Sequence, residues 1–239
     1  MNLDLTKKTE LLSLNLTKVG IVDIPVMEVR LAIDKSGSMH QEFNNGLVDR
    51  TVDLFLAAGL KFDDNQSLDV GFFNERFHDA PTAVEADAGH YVKKARQSAS
   101  GGTCYAPIIQ NFETKQVKLA ATPLEPTKKA GFFSSLFKSA PIEVNDVAGQ
   151  SEYRAYTGII TDGDNSDKRL FEQELANSSG DTFFQFIAIG TGVHPTYLHD
   201  LAAKYDHVSV FVIKNPATCS DEQFYELLCH DKFVKWIKG

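Results

Sequence analysis

The sequence predicts an α/β fold in which a mostly parallel sheet carries helices on both faces. Three observations predict it. Five short runs rich in β-branched and aromatic residues end in turn signals, helical patterns alternate with them, and several runs are apolar at consecutive positions, as strands covered on both faces are.

In chain order the strand-like runs are MEVRLAI (27–33), SLDVGFF (67–73), YRAYTGII (153–160), FFQFIAI (183–189) and VSVFVI (208–213). The first helix is expected over about 42–60, where Phe43, Leu47, Thr51, Leu54, Phe55 and Ala58 form a stripe of 3.6-residue period. Shorter helices are expected over about 167–176 and 195–204, the second with Pro195 in its first turn. A last helix is expected over about 220–237, opened by SDEQ as a capping box with Ser220 as cap and Gln223 at the third position. The segment after Phe73, NERFHDAPTAVE, fits a short antiparallel edge strand.

Residues 1–26 read as an N-terminal extension and 27–239 as one domain with an insertion at about 113–150. That stretch holds Pro123, Pro126 and Pro141, and five lysines against one glutamate between Lys115 and Ser139. Connections of this length are commonly functional or irregular. Within it, residues 128–138 place Phe132, Phe133, Leu136 and Phe137 on one helical face beside lysines, a pattern that suits a partner or a membrane surface. The preferred reading is that these aromatics pack on their own domain.

With 239 residues, 43% hydrophobic, the chain has enough apolar surface for a full core. A net charge of −8 argues against nucleic-acid binding, because a phosphate-tracking surface needs a basic excess. Cys104, Cys219 and Cys229 are odd in number and form no CxxC pair, so they read as reduced thiols of a cytoplasmic protein. No signal-peptide pattern opens the sequence and no run approaches 18 apolar residues.

In such folds ligands sit at the carboxyl ends of strands, near the switch point in strand order. Asp34 follows the first strand there, in RLAIDKSGSMHQ, with hydroxyls at Ser36 and Ser38. Thr103 stands in SASGGTCYAP, where Gly101 and Gly102 permit close approach of the loop, and Asp162 in GIITDGDNSD ends another strand. Two carboxylates and three hydroxyls are hard oxygens suited to one divalent cation, Mg²⁺ first, with Ca²⁺ and Mn²⁺ also compatible. If the aspartates act partly through water, the cation keeps positive charge and can take a partner's carboxylate as its last ligand.

The pattern D-x-S-x-S, a threonine in a glycine-rich loop, and T-D-G after a later strand resembles the metal-ion-dependent adhesion site of von Willebrand factor A (vWA) domains. That resemblance implies a Rossmann-like doubly wound vWA fold and a metal site of Asp34, Ser36, Ser38, Thr103 and Asp162. AIDKSGSM, VGFFNERFH, GGTCYAPII, TDGDNSDK and FFQFIAIG are similar to the vWA domains of bacterial tellurium-resistance proteins of the TerF type. LDLTKKTELLSLNL resembles the opening of TerD-type domains, here at most as a remnant. These resemblances imply a non-enzymatic binding module in a tellurium-resistance, stress or phage-defence system, whose partners include other Ter-system proteins.

The alternative is a Mg²⁺- or Mn²⁺-dependent phosphohydrolase, since aspartates after strands also serve phosphoryl transfer. Against it, position i+2 from Asp34 is Ser36, not a second carboxylate, and no GxxxxGK[ST] loop is present. The histidines, His40 and His78 among them, make no HExxH. Asp164 and Asp167 are expected to solvate their loop and cap the next helix, Cys104 to be a packed thiol, and Lys35 to face solvent.

Overall fold

The computed structural model describes residues 3–121, 154–178, 180–190, 192–193, 195–215 and 218–239. Its centre is a six-stranded sheet of β1 (Glu28–Asp34), β2 (Asp69–Phe73), β3 (Phe77–Asp79), β4 (Ala155–Thr161), β5 (Thr182–Ile189) and β6 (Val208–Ile213). The spatial order is β3-β2-β1-β4-β5-β6. All pairings are parallel except β2 with β3, so the segment after Phe73 does form the antiparallel edge strand. The order reverses direction between β1 and β4. Ala32 pairs with Ile159 and Ile33 with Ile160, which carries the next residues, Asp34 and Thr161, out at the same edge.

Nine helices surround the sheet among the described residues: α1 (Leu3–Lys18), α2 (His40–Asn44), α3 (Leu47–Phe62), α4 (Tyr91–Ala95), α5 (Ala106–Ala121), α6 (Lys168–Asn177), α7 (Thr196–Lys204), α8 (Asp221–Leu228) and α9 (Asp231–Lys238). The alternation of strand residues sorts them. Val29, Leu31 and Ile33 belong to a core shared with α1, α3, α8 and α9, whereas Ala32 belongs to a second core shared with α5, α6 and α7. Gly158 of β4 makes the first face close: a β-carbon there would stand 2.3 Å from the ring of Phe55 on α3. Arg30, on the second face, is buried, paired with Glu28 at 2.5 Å and set over the Phe112 ring.

Two helical expectations change. The helix over 42–60 is two, α2 and α3, because Gly46 takes φ +77°, a left-handed conformation that interrupts the backbone ladder. The helix over 220–237 is also two. Ser220 and Gln223 cap α8 reciprocally, but the chain turns at Cys229, and the His230 ring accepts the Lys232 N–H at 3.2 Å to start α9. The N-terminal extension contains a 16-residue helix whose Leu5, Leu12 and Leu16 are buried in the first core. The expected insertion begins inside α5, and the remainder from residue 122, including 128–138, lies outside the described residues.

Candidate metal centre

β1 closes with the apolar run Leu31, Ala32 and Ile33 and ends on Asp34, which is fully buried. A buried carboxylate requires partners for its oxygens. Oδ1 accepts the Ser36 backbone N–H at 2.7 Å, and Oδ2 accepts the Thr161 hydroxyl at 2.8 Å. Thr161 closes β4, and its own oxygen accepts the Gly163 N–H at 3.2 Å and lies 3.0 Å from the Tyr105 hydroxyl. Burial pushes the Asp34 carboxyl up to about 6; hydrogen bonds from Ser36 and Thr161 pull it down, and the negative Asp162 pushes it further up.

Ser36 is buried in the loop after β1, while Ser38 is exposed in a short 3₁₀ turn, Gly37–Met39. Their hydroxyl oxygens lie 3.0 Å apart. Thr103 is buried between α4 and α5, and Asp162, the first residue beyond β4, is half-buried. Hydrogen bonds join the three segments in a ring. The first meets the second through Ser100 N–H to the Lys35 carbonyl at 2.6 Å and Gly37 N–H to the Gly101 carbonyl at 2.9 Å. The second meets the third where Ser166 N–H and Oγ both donate to the Thr103 carbonyl, each at 2.9 Å. Thr161 and Asp34 close the ring.

Several residues of this arrangement escaped the sequence reading. Thr161, at the end of the neighbouring strand, anchors Asp34, and Tyr105, just before α5, meets the Thr161 hydroxyl in turn; neither contact shows in local spacing. Asp167 does not cap its own helix with its side chain. Its carboxylate instead accepts Tyr105 N–H at 2.9 Å and Ala106 N–H at 2.8 Å, capping α5 across the loop, and takes Asn165 Nδ2 at 2.6 Å. Asp164 is exposed and pairs with Lys168 at 2.8 Å. Lys35 does not simply face solvent: half-buried, it donates to Gln97 Oε1 at 2.9 Å. Cys104 is half-buried and free, 3.4 Å from the Ser166 hydroxyl; His40 is exposed, and His78 contacts Asn74 Oδ1 at 3.1 Å.

The donor set suits a small hard cation. Two oxygens sharing an edge of an octahedron with 2.0–2.1 Å bonds lie about 2.9 Å apart. The Ser36 and Ser38 hydroxyls share a hydrogen bond of 3.0 Å, close to that spacing, and the Asp34 carboxylate two residues earlier is buried, which makes its charge costly. Among the described residues no three His, Cys, Asp or Glu side chains gather as a metal group, and this set has only two carboxylates, the rest being hydroxyls.

A family model described as "vWA found in TerF C terminus" matches residues 26–239. The chain belongs to this vWA-TerF-like family. The protein YcbR of Bacillus subtilis strain 168 is 27% identical to this vWA chain over 250 residues, covering 99% of it and 86% of YcbR. Among solved structures, a von Willebrand factor type A protein from Catenulispora acidiphila is similar with a TM-score of 0.52 at 16% identity, over 87% of this chain and 43% of that one. Proximal thread matrix protein 1 from the mussel byssus is similar with a TM-score of 0.54 at 14% identity, over 88% of this chain and 48% of that one. At such identities the likeness is one of fold, and this vWA chain spans less than half the length of either structure. Among the described residues no helix is long and apolar enough to cross a membrane.

Proposed function

We propose that this vWA domain is a non-enzymatic, metal-dependent protein-binding module. Asp34, Ser36, Ser38, Thr103 and Asp162 hold one divalent cation, Mg²⁺ in the first instance, whose open position accepts an Asp or Glu carboxylate from a protein partner. The observation that carries this reading is the pair of Ser36 and Ser38 hydroxyls 3.0 Å apart beside the buried Asp34 carboxylate. Both Asp34 oxygens already hold protein donors, which supports a role for Asp34 through water and leaves the hydroxyls as direct ligands. A site so short of direct negative charge leaves a cation attractive to an external carboxylate.

Family membership supports placing this capture in a cytoplasmic tellurium-resistance or stress-response assembly, with other Ter-system proteins as partners. Calorimetry with MgCl₂, followed by affinity capture with and without EDTA, tests the reading. Asp34→Ala is expected to abolish both cation uptake and EDTA-sensitive capture while retaining the fold. Capture that proceeds equally in EDTA sinks it. Turnover of phosphate esters lost in Asp34→Asn would favour catalysis instead.

A further inference from the structure

The hairpin between β2 and β3 turns through Asn74, Glu75 and Arg76, and its tip lies on the loop that carries Thr103. Three hydrogen bonds join them. Asn74 Nδ2 donates to the Ser100 carbonyl at 3.0 Å, Cys104 N–H donates to the Asn74 carbonyl at 2.9 Å, and Gly102 N–H donates to Glu75 Oε1 at 2.5 Å. From Gln97 to Cys104 the loop has no helix or strand of its own, and consecutive glycines give it the greatest backbone freedom. Its shape therefore comes from its neighbours.

Gly101 sits at φ +85°, and a β-carbon on it would stand 2.5 Å from Glu75 Oε2; one on Gly102 would stand 3.2 Å from Oε1. The missing side chains are thus the space that the Glu75 carboxylate fills. Its bond to Gly102 is charge-assisted, the stronger kind, and this N–H holds the carboxyl below its ordinary value. We infer that Glu75 is a positioning residue for the metal centre, clasping the Gly101–Gly102 turn to the hairpin tip and so fixing Thr103. This rests on the reading above, in which Thr103 helps to hold the cation.

Two measurements test it. Hydrogen exchange of metal-free protein over residues 98–105 should quicken in Glu75→Ala and quicken less in Glu75→Gln, which keeps the Oε1 acceptor but not its charge. Mn²⁺ titration should give about tenfold weaker binding for Glu75→Ala, within the range for residues that orient metal ligands, and a smaller loss for Glu75→Gln. In a Thr103→Ala background, Glu75→Ala should cause no further loss, because the two act as a unit. Unchanged exchange in Glu75→Ala overturns the clasp. Equal weakening by Gln and Ala, or an undiminished effect in Thr103→Ala, shows that charge alone acts and overturns it too. If wild-type protein binds no Mn²⁺, the proposed function fails and this inference with it; if wild type binds and Glu75→Ala binds equally well, the inference alone fails.

Discussion

At Asp34 two requirements oppose each other: a sheet edge that buries the carboxyl and a proposed cation site that would need its charge. Its ordinary value of 3.8 rises to about 6 in the fold, so the native state holds this proton more tightly than the unfolded chain does. Stability from Asp34 is therefore fully present below the unfolded value near 3.8 and is lost as pH rises through about 6. Metal-free Asp34→Asn should accordingly gain melting temperature relative to wild type as pH goes from 4 to 7. A calorimetric gap that stays constant across that range would count against the account. Cation uptake should run the other way, failing as pH falls below about 6 because proton and cation compete for one carboxylate. Thr161→Val leaves Asp34 Oδ2 without its hydroxyl donor and should cost about 1–3 kcal/mol in urea denaturation.

Among the elements, helix termini align the site. Asp167 starts α6 yet caps α5, so one carboxylate locks the TDGDNSD loop to the residues directly after Thr103 and Cys104. Asp167→Ala should destabilise by about 1–2 kcal/mol, as losses of helix caps do, and should also weaken Mn²⁺ binding although Asp167 is no ligand. Asp167→Asn, keeping one acceptor oxygen, should fall between. At the other end of the chain α1 is a core element: Leu12 is wholly buried, and Leu12→Ala should cost about 2–5 kcal/mol by equilibrium unfolding. A loss under 1 kcal/mol, a surface-like value, would mean that α1 is only loosely attached.

For the molecule as a whole, the sheet order reverses between β1 and β4, and the parallel register brings Asp34 and Thr161 out side by side at that edge. A ligand that binds the folded form alone stabilises all of it at once. Mg²⁺ at one hundred times its dissociation constant should add about 2.7 kcal/mol to wild type, EDTA should remove the gain, and Asp34→Ala should not respond. A thermal shift of equal size in Asp34→Ala would place the effect elsewhere on the chain.

The sequence by itself determined the strands. Their short, apolar, β-branched runs leave few alternatives, and the ends of the central strands fall close to the predicted ones. It also offered the five candidate ligand residues, because D-x-S-x-S, GGT and TDG are local patterns at or near places where strands end. Only the tertiary structure decided where the long helices break, since the 3.6-residue stripe runs on past Gly46 and the SDEQ cap marks where the last helix starts and not its turn at His230. It alone revealed α1 as part of the core, whose leucines acquire meaning from α3 and α8. The grip on the site was likewise invisible in sequence: Thr161 on Asp34, Asp167 on α5 and Glu75 on Gly102 join residues 127, 61 and 27 positions apart. Local spacing fixes which atoms a strand end offers; what holds them depends on how distant segments pack.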